Sequence, residues 1–442
     1  MPCASWGTRS RSRAVAPMRI LLVAHKYPPY ALGGVEVYAQ HLARALCARH
    51  EVAVFFRHDD REGPPFAAQG GEAGGVRLRR VSCNPSGLGA SVAGEFFHTF
   101  LNRAIEADFA HLVAGFQPEL IHVQHVMGLS ARLLPLARAA GVPVLLTLHD
   151  YWFLCSNSQL IWPDGQVCRG KAWGVNCVRC AAAARFPSPL VRWLRPALAP
   201  LFLFRDRVVR NAALAADRLI APSHFLIERY TTAGFPASRF EYLENGIAVE
   251  EIRRFPRLSG GGALRVTFLG SLAWQKGVHV LAEAWRGLPA GAARLRIWGD
   301  PQVFPEYSTR LRGLLTGTGA ELMGRIANER VGEVLADSDV VVMPSLWFEN
   351  SPVVIQEARA AGVPVVASGH GALAEKVHDG VDGLLFPPGD AGALRQALQR
   401  LIEEPELLPR LRQGVQPAMD VEAHVQKLER IYEQANHPDT LL

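Results

Sequence analysis

The stretch from Ser345 to Ser368, SLWFENSPVVIQEARAAGVPVVAS, constrains the fold more than any other part of the chain. The β-branched run Val340-Val341-Val342-Met343 stops at Pro344. Ser351 is a favourable N-cap, Pro352 suits the first helical position, and Gly362 suits the position just past a helix end. A second apolar run, Val363 to Ala367, then follows. Strand, loop, helix and strand in this order form a unit of a parallel α/β sheet.

The chemistry of such a unit lies at the loop-to-helix junction. A helix start presents unpaired N–H groups and a partial positive charge, which together suit a phosphate. Glu349 lies just before the cap and Glu357 about two turns deeper. Two carboxylates would repel a phosphate, but they can accept hydrogen bonds from sugar hydroxyls beside it, as an acidic residue does for a ribose. From spacing alone, two surface glutamates on a helix are the commoner reading.

Glu349, seven residues and Glu357, with the Glu-Asn-Ser-Pro start and the Ala-x-Gly-x-Pro-Val-Val-Ala-Ser exit, resemble the E-x7-E motif of family 4 retaining glycosyltransferases. The resemblance extends over nearly the whole chain from Met18. It implies the GT-B fold, an α/β architecture of two Rossmann-like, doubly wound parallel-sheet domains facing each other across a cleft. It further implies that Glu357 holds the ribose of a nucleotide and Glu349 the hydroxyls of a donor sugar. The backbone at Asn350 and Ser351 would face the sugar and diphosphate.

A length of 442 residues calls for two or three domains, and 49% apolar with 20% charged residues are globular values. Lys and Arg number 47 against 41 Asp and Glu, a formal charge of +6. That modest excess suits an anionic substrate or an anionic membrane surface, and no nucleic-acid motif accompanies it. Residues 1–17 are basic and Ser/Arg-rich without an apolar segment, and read as a disordered tail rather than a secretory signal. No apolar run is long enough to span a bilayer. Seven cysteines without an export signal point to a reducing, cytoplasmic setting and away from a disulfide framework.

Residues 18–245 read as an N-terminal, acceptor-side domain. Met18 to Ala24 is a continuous apolar β run, followed by a loop and a helical pattern from Val35 to Arg49. Gly33 and Gly34, at that helix start, allow a ligand close to the backbone. The pattern is not G-x-G-x-x-G, and paired glycines are often only a turn; the family resemblance places this loop over the donor phosphates. Further β runs at Glu51–Phe56, Val76–Val81, Leu120–Gln124 and Pro143–Leu148 predict a doubly wound sheet whose ligands bind at the strands' carboxyl ends. His149 and Asp150 stand at such an end, and Thr-Leu-His-Asp-Tyr-Trp resembles the family segment whose histidine approaches the donor sugar. His122 and His125 flank another strand end and read as structural or loop residues, with acceptor contact open.

An insertion, residues 155–180, carries Cys155, Cys168, Cys177 and Cys180. Only the last two have C-x2-C spacing, so a structural zinc site, an iron–sulfur cluster and free thiols all stay open. A closed four-thiolate site would have no position for catalysis. Residues 186–210 interleave Trp193, Leu194, Leu198, Leu201, Phe202, Leu203 and Phe204 with Arg192, Arg195, Arg205 and Arg207. Such a stretch either lies on an anionic membrane, at the inner face, or packs as a buried helix.

Asp217–Pro222 and Phe240–Leu243 read as the last strands of this domain. A linker follows at 246–263, with hinge glycines Gly260 to Gly262. The donor-binding domain, 264–418, opens on Leu264–Leu269 and Gly-Ser-Leu-Ala-Trp-Gln-Lys-Gly. Lys276 at a helix entry can meet a phosphate as a point charge, or be a solvated surface lysine. The resemblance implies an arginine and a lysine that neutralise the donor diphosphate. Lys276 matches the lysine, whereas Ser271 stands where the arginine is common. Arg325, after another β run, is a second candidate cation. Asp337-Ser338-Asp339 is formally D-x-D, but reads as a helix end and strand entry, so catalysis is expected to need no metal. Residues 419–442 end the chain in a helix that crosses back to the first domain, and a tail.

The function these readings carry is transfer of a sugar from a nucleoside diphosphate sugar to a hydroxyl of a glycan or lipid-linked acceptor. Retention of configuration and a role in cell-surface polysaccharide assembly are implied by the resemblance. The alternatives are a nucleotide-sugar 2-epimerase on the same architecture and a non-catalytic partner subunit.

Overall fold

Alternate residues of the first strand, β1 (Arg19–Ala24), are buried in two different apolar clusters, Leu21 and Val23 in one and Ile20 and Leu22 in the other. A strand apolar on both faces belongs inside a parallel sheet covered by helices on each side. The structure is a computed structural model that describes residues 16–31, 33–60, 64–83, 92–163, 165–168, 170–185, 189–257 and 262–436. Most of the basic tail, hinge residues Gly260 and Gly261, and the end of the chain after 436 lie outside the described residues, as do the side chains of Arg192, Trp193, Leu194 and Arg195.

The first sheet comprises β1, β2 (Glu51–Asp59), β3 (Ala68–Ala73), β4 (Val76–Cys83), β5 (Leu120–Val123), β6 (Val144–Thr147), β7 (Arg218–Ala221) and β8 (Phe240–Tyr242). Their order is β3-β4-β2-β1-β5-β6-β7-β8, all neighbours parallel except β3 with β4. The edge strand β3, AQGGEA, has no buried residue and so carries no hydrophobic pattern in the sequence. It forms because the Gly74-Gly75 turn, both residues at positive φ, folds it back onto β4.

The second sheet comprises β9 (Leu264–Leu269), β10 (Ala293–Trp298), β11 (Glu321–Gly324), β12 (Val340–Met343), β13 (Val365–Ser368) and β14 (Gly383–Phe386). It is wholly parallel, in the order β11-β10-β9-β12-β13-β14. In both sheets the order reverses beside the first strand of the domain, between β1 and β5 and between β9 and β12. Those switch points are where open α/β sheets bind ligands, at the strands' carboxyl ends.

The last helix, Val421–Asn436, leaves the second domain and packs on the first. Val425, Leu428, Ile431 and Tyr432 join Ile20, Leu22, Tyr38 and Leu42 in one buried cluster. Tyr432 OH bonds His122 Nδ1 at 2.7 Å, and His122 Nε2 bonds Thr147 Oγ1 at 2.7 Å, so His122 is a buried structural residue. At the junction, Glu375 of the second domain accepts from His224 N (2.9 Å) and Phe225 N (2.8 Å) of the first. Lys376 Nζ donates to Pro222 O at 3.1 Å. These contacts hold the two switch points facing each other.

Candidate active site

The second-domain wall is built where β9 and β12 lie side by side. The turn Trp274–Lys276 after β9 is tied to the loop after β12 by Leu346 N donating to Gln275 O at 2.8 Å. Gly277 is required here: its φ is 69°, and a Cβ would collide with the Pro344 carbonyl. This contact fixes Lys276 against Glu349, with Nζ 2.6 Å from Oε1. Ser345 Oγ (2.8 Å) and Trp347 Nε1 (2.9 Å) donate to the same oxygen. Lys276 Nζ also lies 5.3 Å from the centre of the Trp347 ring. Three donors on Oε1 orient the buried Glu349 carboxylate and leave Oε2 for another partner.

The helix that follows spans Val353–Ala360, with Pro352 as its N-cap. The sequence reading of Ser351 as cap is corrected. Pro352 takes extended ψ (117°), which delays the helix by one residue, and Ser351 Oγ is buried without a hydrogen-bond partner. Asn350 Nδ2 crosses to the first domain and donates to His149 O at 3.1 Å, so the helix start lies at the cleft. Glu357, further along the helix, makes no side-chain hydrogen bond among the described residues, and burial pushes its carboxyl up to about 7.

The first-domain wall is a chain of polar groups at the ends of β1, β5 and β6. Glu36 Oε1 pairs with His25 Nε2 at 3.1 Å, and the His25 and His125 rings are 4.7 Å apart. His125 Nε2 bonds Asp150 at 3.1 Å. Gly33 is the N-cap of the helix Gly34–Cys47, where a Cβ would collide with the Glu36 carboxylate; a Cβ on Gly34 would meet nothing. His149 Nε2 bonds Gln124 Oε1 at 2.8 Å, and burial, helped by His125, pulls its pKa down to about 3. A neutral imidazole whose Nε2–H is given to Gln124 keeps Nδ1 as an acceptor.

Residues 32–251 match the family model Glycosyltransferase Family 4, and residues 263–404 match Glycosyl transferases group 1. The chain is a family 4 glycosyltransferase. It is 28% identical over 429 residues to D-inositol 3-phosphate glycosyltransferase 1 of Catenulispora acidiphila, covering 91% of each chain. It is 24% identical over 400 residues to the glycogen synthase of Mycobacterium tuberculosis, covering 88% of this chain and 87% of that one. Among solved structures it is similar to sucrose-phosphate synthase from Thermosynechococcus elongatus, with TM-score 0.67, 22% identity, and 94% and 98% of the two chains covered. Anabaena HepE, solved in complex with UDP and glucose, matches at TM-score 0.64 and 19% identity, over 94% and 99% of the chains. These neighbours share the GT-B fold.

In this glycosyltransferase, Arg325 is exposed past the end of edge strand β11 and makes no bond to the Lys276–Glu349 cluster. Asp337 and Asp339 flank Ser338 between a helix end and β12, and their carboxylates are taken by arginines. Arg265 reaches Asp337 Oδ1 at 2.9 Å and Asp339 Oδ1 at 2.9 Å, Arg257 reaches Asp339 at 3.3 Å, and Arg296 and Arg412 complete the set.

The cysteine insertion folds with Asn157 at its centre. Cys155 Sγ donates to Asn157 Oδ1 at 2.8 Å, Asn157 Nδ2 reaches Cys180 Sγ at 3.4 Å, and Cys168 Sγ donates to Gly170 O at 3.5 Å. Burial pushes the Cys177 thiol up to about 12. Among the described residues no three His, Cys, Asp or Glu side chains are arranged to hold a metal ion. The insertion instead reaches across the cleft, where Gly165 packs on the Trp274 ring.

Sequence reasoning did not single out Ser345, Trp347, His25 or Glu36. His25 was detectable, because it directly follows β1 at a switch point. Trp347 and Ser345 had no signal beyond their nearness to Glu349, since only the tight loop turns both toward its carboxylate.

Proposed function

We propose that the enzyme moves a sugar from a nucleoside diphosphate sugar to a hydroxyl of a glycan or lipid-linked acceptor, with retention, in cell-surface polysaccharide assembly. The observation that carries this reading is the oriented Glu349 carboxylate, with one oxygen held by Lys276, Ser345 and Trp347 and the other without a hydrogen bond among the described residues. Glu349 Oε2 accepts a donor-sugar hydroxyl, and Glu357 accepts ribose hydroxyls. Neutral His149 and the carboxamide of Asn350 line the sugar pocket, and Gly34 leaves room above the phosphates. As the sugar C1–O bond breaks, the electron pair goes to the diphosphate, whose charge is met by Lys276 and the first amides of the helix Val353–Ala360. The acceptor oxygen bonds C1 on the same face, and its proton passes to the departing phosphate oxygen.

Relatives support the setting. An amylovoran biosynthesis glycosyltransferase of Erwinia amylovora matches at 29% identity over 204 residues, 44% of this chain and 50% of that one. No helix among the described residues is long and apolar enough to cross a membrane. Leu201, Leu203 and Phe204 are exposed on the helix Pro189–Leu214 beside exposed Arg207, which supports peripheral contact with an anionic lipid surface, where a lipid-linked acceptor would be met.

The test is to incubate pure protein with a panel of nucleoside diphosphate sugars, with and without membrane-derived glycolipid. Acceptor-dependent release of the nucleoside diphosphate, with slow hydrolysis when the acceptor is omitted, is expected. Acceptor-independent isomerisation of the donor would overturn the reading in favour of an epimerase.

A further inference from the structure

The sequence puts Ser271 where the family resemblance implies an arginine at the donor diphosphate, and Ser271 is exposed in the structure. The Lys276 ammonium is the cation bonded within the cluster at Glu349. One charge opposite a diphosphate is a weak counterweight.

Arg229 stands out. It lies on the helix His224–Thr232 of the first domain, half-buried, and its guanidinium carbon sits 5.7 Å from the centre of the Phe348 ring. Phe348 immediately precedes Glu349. It also packs on Phe225 of the same first-domain helix (5.0 Å between centroids) and on His370 (5.2 Å) of the second domain. Arg229 is therefore at the interdomain junction beside the donor loop. Its Nε is buried without a hydrogen-bond partner, and among the described residues its guanidinium makes no ion pair. The neighbouring arginine Arg210 donates to the Ala233 and Gly234 carbonyls, both at 2.6 Å, and Arg205 donates to Trp152 O at 2.7 Å. Among the described residues Arg229 has no such bond.

Two more polar atoms at this junction are buried without partners, the Tyr151 hydroxyl and Asn350 Oδ1. Tyr151 feels the charges of both Arg229 and Glu349, which places it near each. Burying a guanidinium nitrogen and a hydroxyl with neither bonded is costly unless a ligand completes them. The helix is not free to drift away, because Glu375 of the second domain accepts from His224 N and Phe225 N at its start. The arginine is thus presented to the second domain by a contact the second domain itself makes.

We propose that Arg229 is a substrate-binding residue that takes an oxyanion of a phosphate or carboxylate in the cleft, supplying from the first domain the charge that Ser271 does not. A guanidinium suits this task, since its fork matches two oxygens of one anionic group. The oxyanion belongs either to the donor diphosphate or to a charged acceptor. This rests on the reading of the cleft as the site of transfer.

The experiment compares wild type with Arg229→Gln and Arg229→Lys, with melting temperatures measured alongside. Binding of inorganic pyrophosphate and of UDP is titrated, and donor and acceptor KM are measured separately from kcat. Loss of a charged hydrogen bond weakens the affected ligand by about 10- to 100-fold in Arg229→Gln, with partial recovery in Arg229→Lys. Weaker pyrophosphate and UDP binding supports the proposal with the donor as source. Unchanged binding of both with a raised acceptor KM supports it with the acceptor as source. Unchanged binding and unchanged KM values, with only a lowered melting temperature, would overturn it and leave Arg229 a packing residue on Phe348. If wild type binds pyrophosphate in an Arg229-dependent way but transfers no sugar, Arg229 stands as an anion-binding residue and the transferase reading fails alone.

Discussion

The ammonium of Lys276 lies 2.6 Å from Oε1 of Glu349, across 73 residues of sequence. The pair joins the turn after β9 to the loop after β12 and links the two charges that the proposed chemistry needs in opposite roles. Lys276→Ala is expected to lower kcat/KM by roughly 100-fold or more, as removal of a group facing developing charge does. Lys276→Arg is expected to recover only part of it, because a planar fork cannot replace a point charge over Trp347. Steady-state kinetics on the purified variants checks this.

Glu357 carries a pH signature. Its folded pKa, about 7, lies above the ordinary glutamate value of 4.5 because of burial. The unfolded chain therefore gives up this proton first, so the stability it contributes is present at pH 4 and lost as pH rises through 7. Glu357→Gln is expected to be more stable than wild type at pH 8, by on the order of 2 kcal/mol, and equal to it at pH 4. UDP affinity of the wild type is expected to rise with pH through the same interval, as the ionised carboxylate becomes available to ribose hydroxyls. Thermal melts and titrations at pH 5, 6, 7 and 8 read both trends.

Asn350→Ala removes the hydrogen bond from one domain to the His149 carbonyl of the other. A single bond of this type is worth about 1 kcal/mol, so kcat is expected to fall about 5-fold, with the melting temperature nearly unchanged. A fall in stability without a fall in kcat would speak against a role in closing the cleft.

The arginines around Asp337 and Asp339 make a further prediction. Burial alone would raise the Asp339 pKa, but the hydrogen bonds from Arg265, with the charge of Arg412, hold it at about 2. Its contribution is present above pH 4 and lost as pH falls toward 2. Asp339→Asn is expected to cost about 2 kcal/mol at pH 7, because three half-buried arginines lose a shared carboxylate. With these carboxylates committed, EDTA is expected to leave transfer activity unchanged; abolition by EDTA with recovery on adding Mn2+ would refute the metal-independent mechanism.

Leu203→Asp combined with Phe204→Glu tests the lipid contact. Wild type is expected to float with vesicles containing anionic lipid more than with neutral ones, and the double variant to lose most of that difference. Equal flotation of wild type with both vesicles would remove the membrane from the account.

Much of the fold was legible because parallel strands buried on both faces leave continuous apolar runs. The run Leu264–Leu269 is one such strand from end to end, and Val340–Met343 is another. The edge strand β3 was not legible, since its side chains are exposed and only its pairing with β4 defines it. The cap at Ser351 was misplaced for a local reason: Ser-Pro reads as cap and first turn, but Pro352 stays extended and becomes the cap itself.

The sequence by itself determined two parallel α/β units and placed Glu349 beside a helix start, because strand burial, prolines and glycines act over a few residues. Only the tertiary structure decided that Lys276, Ser345 and Trp347 share one oxygen of Glu349, that Asn350 meets His149, and that Arg229 Nε has no hydrogen-bond partner among the described residues. Those relations depend on strand order and on the facing of two domains. A side chain's partner across 73 or 201 residues is set by how the sheets pack, which no local pattern encodes.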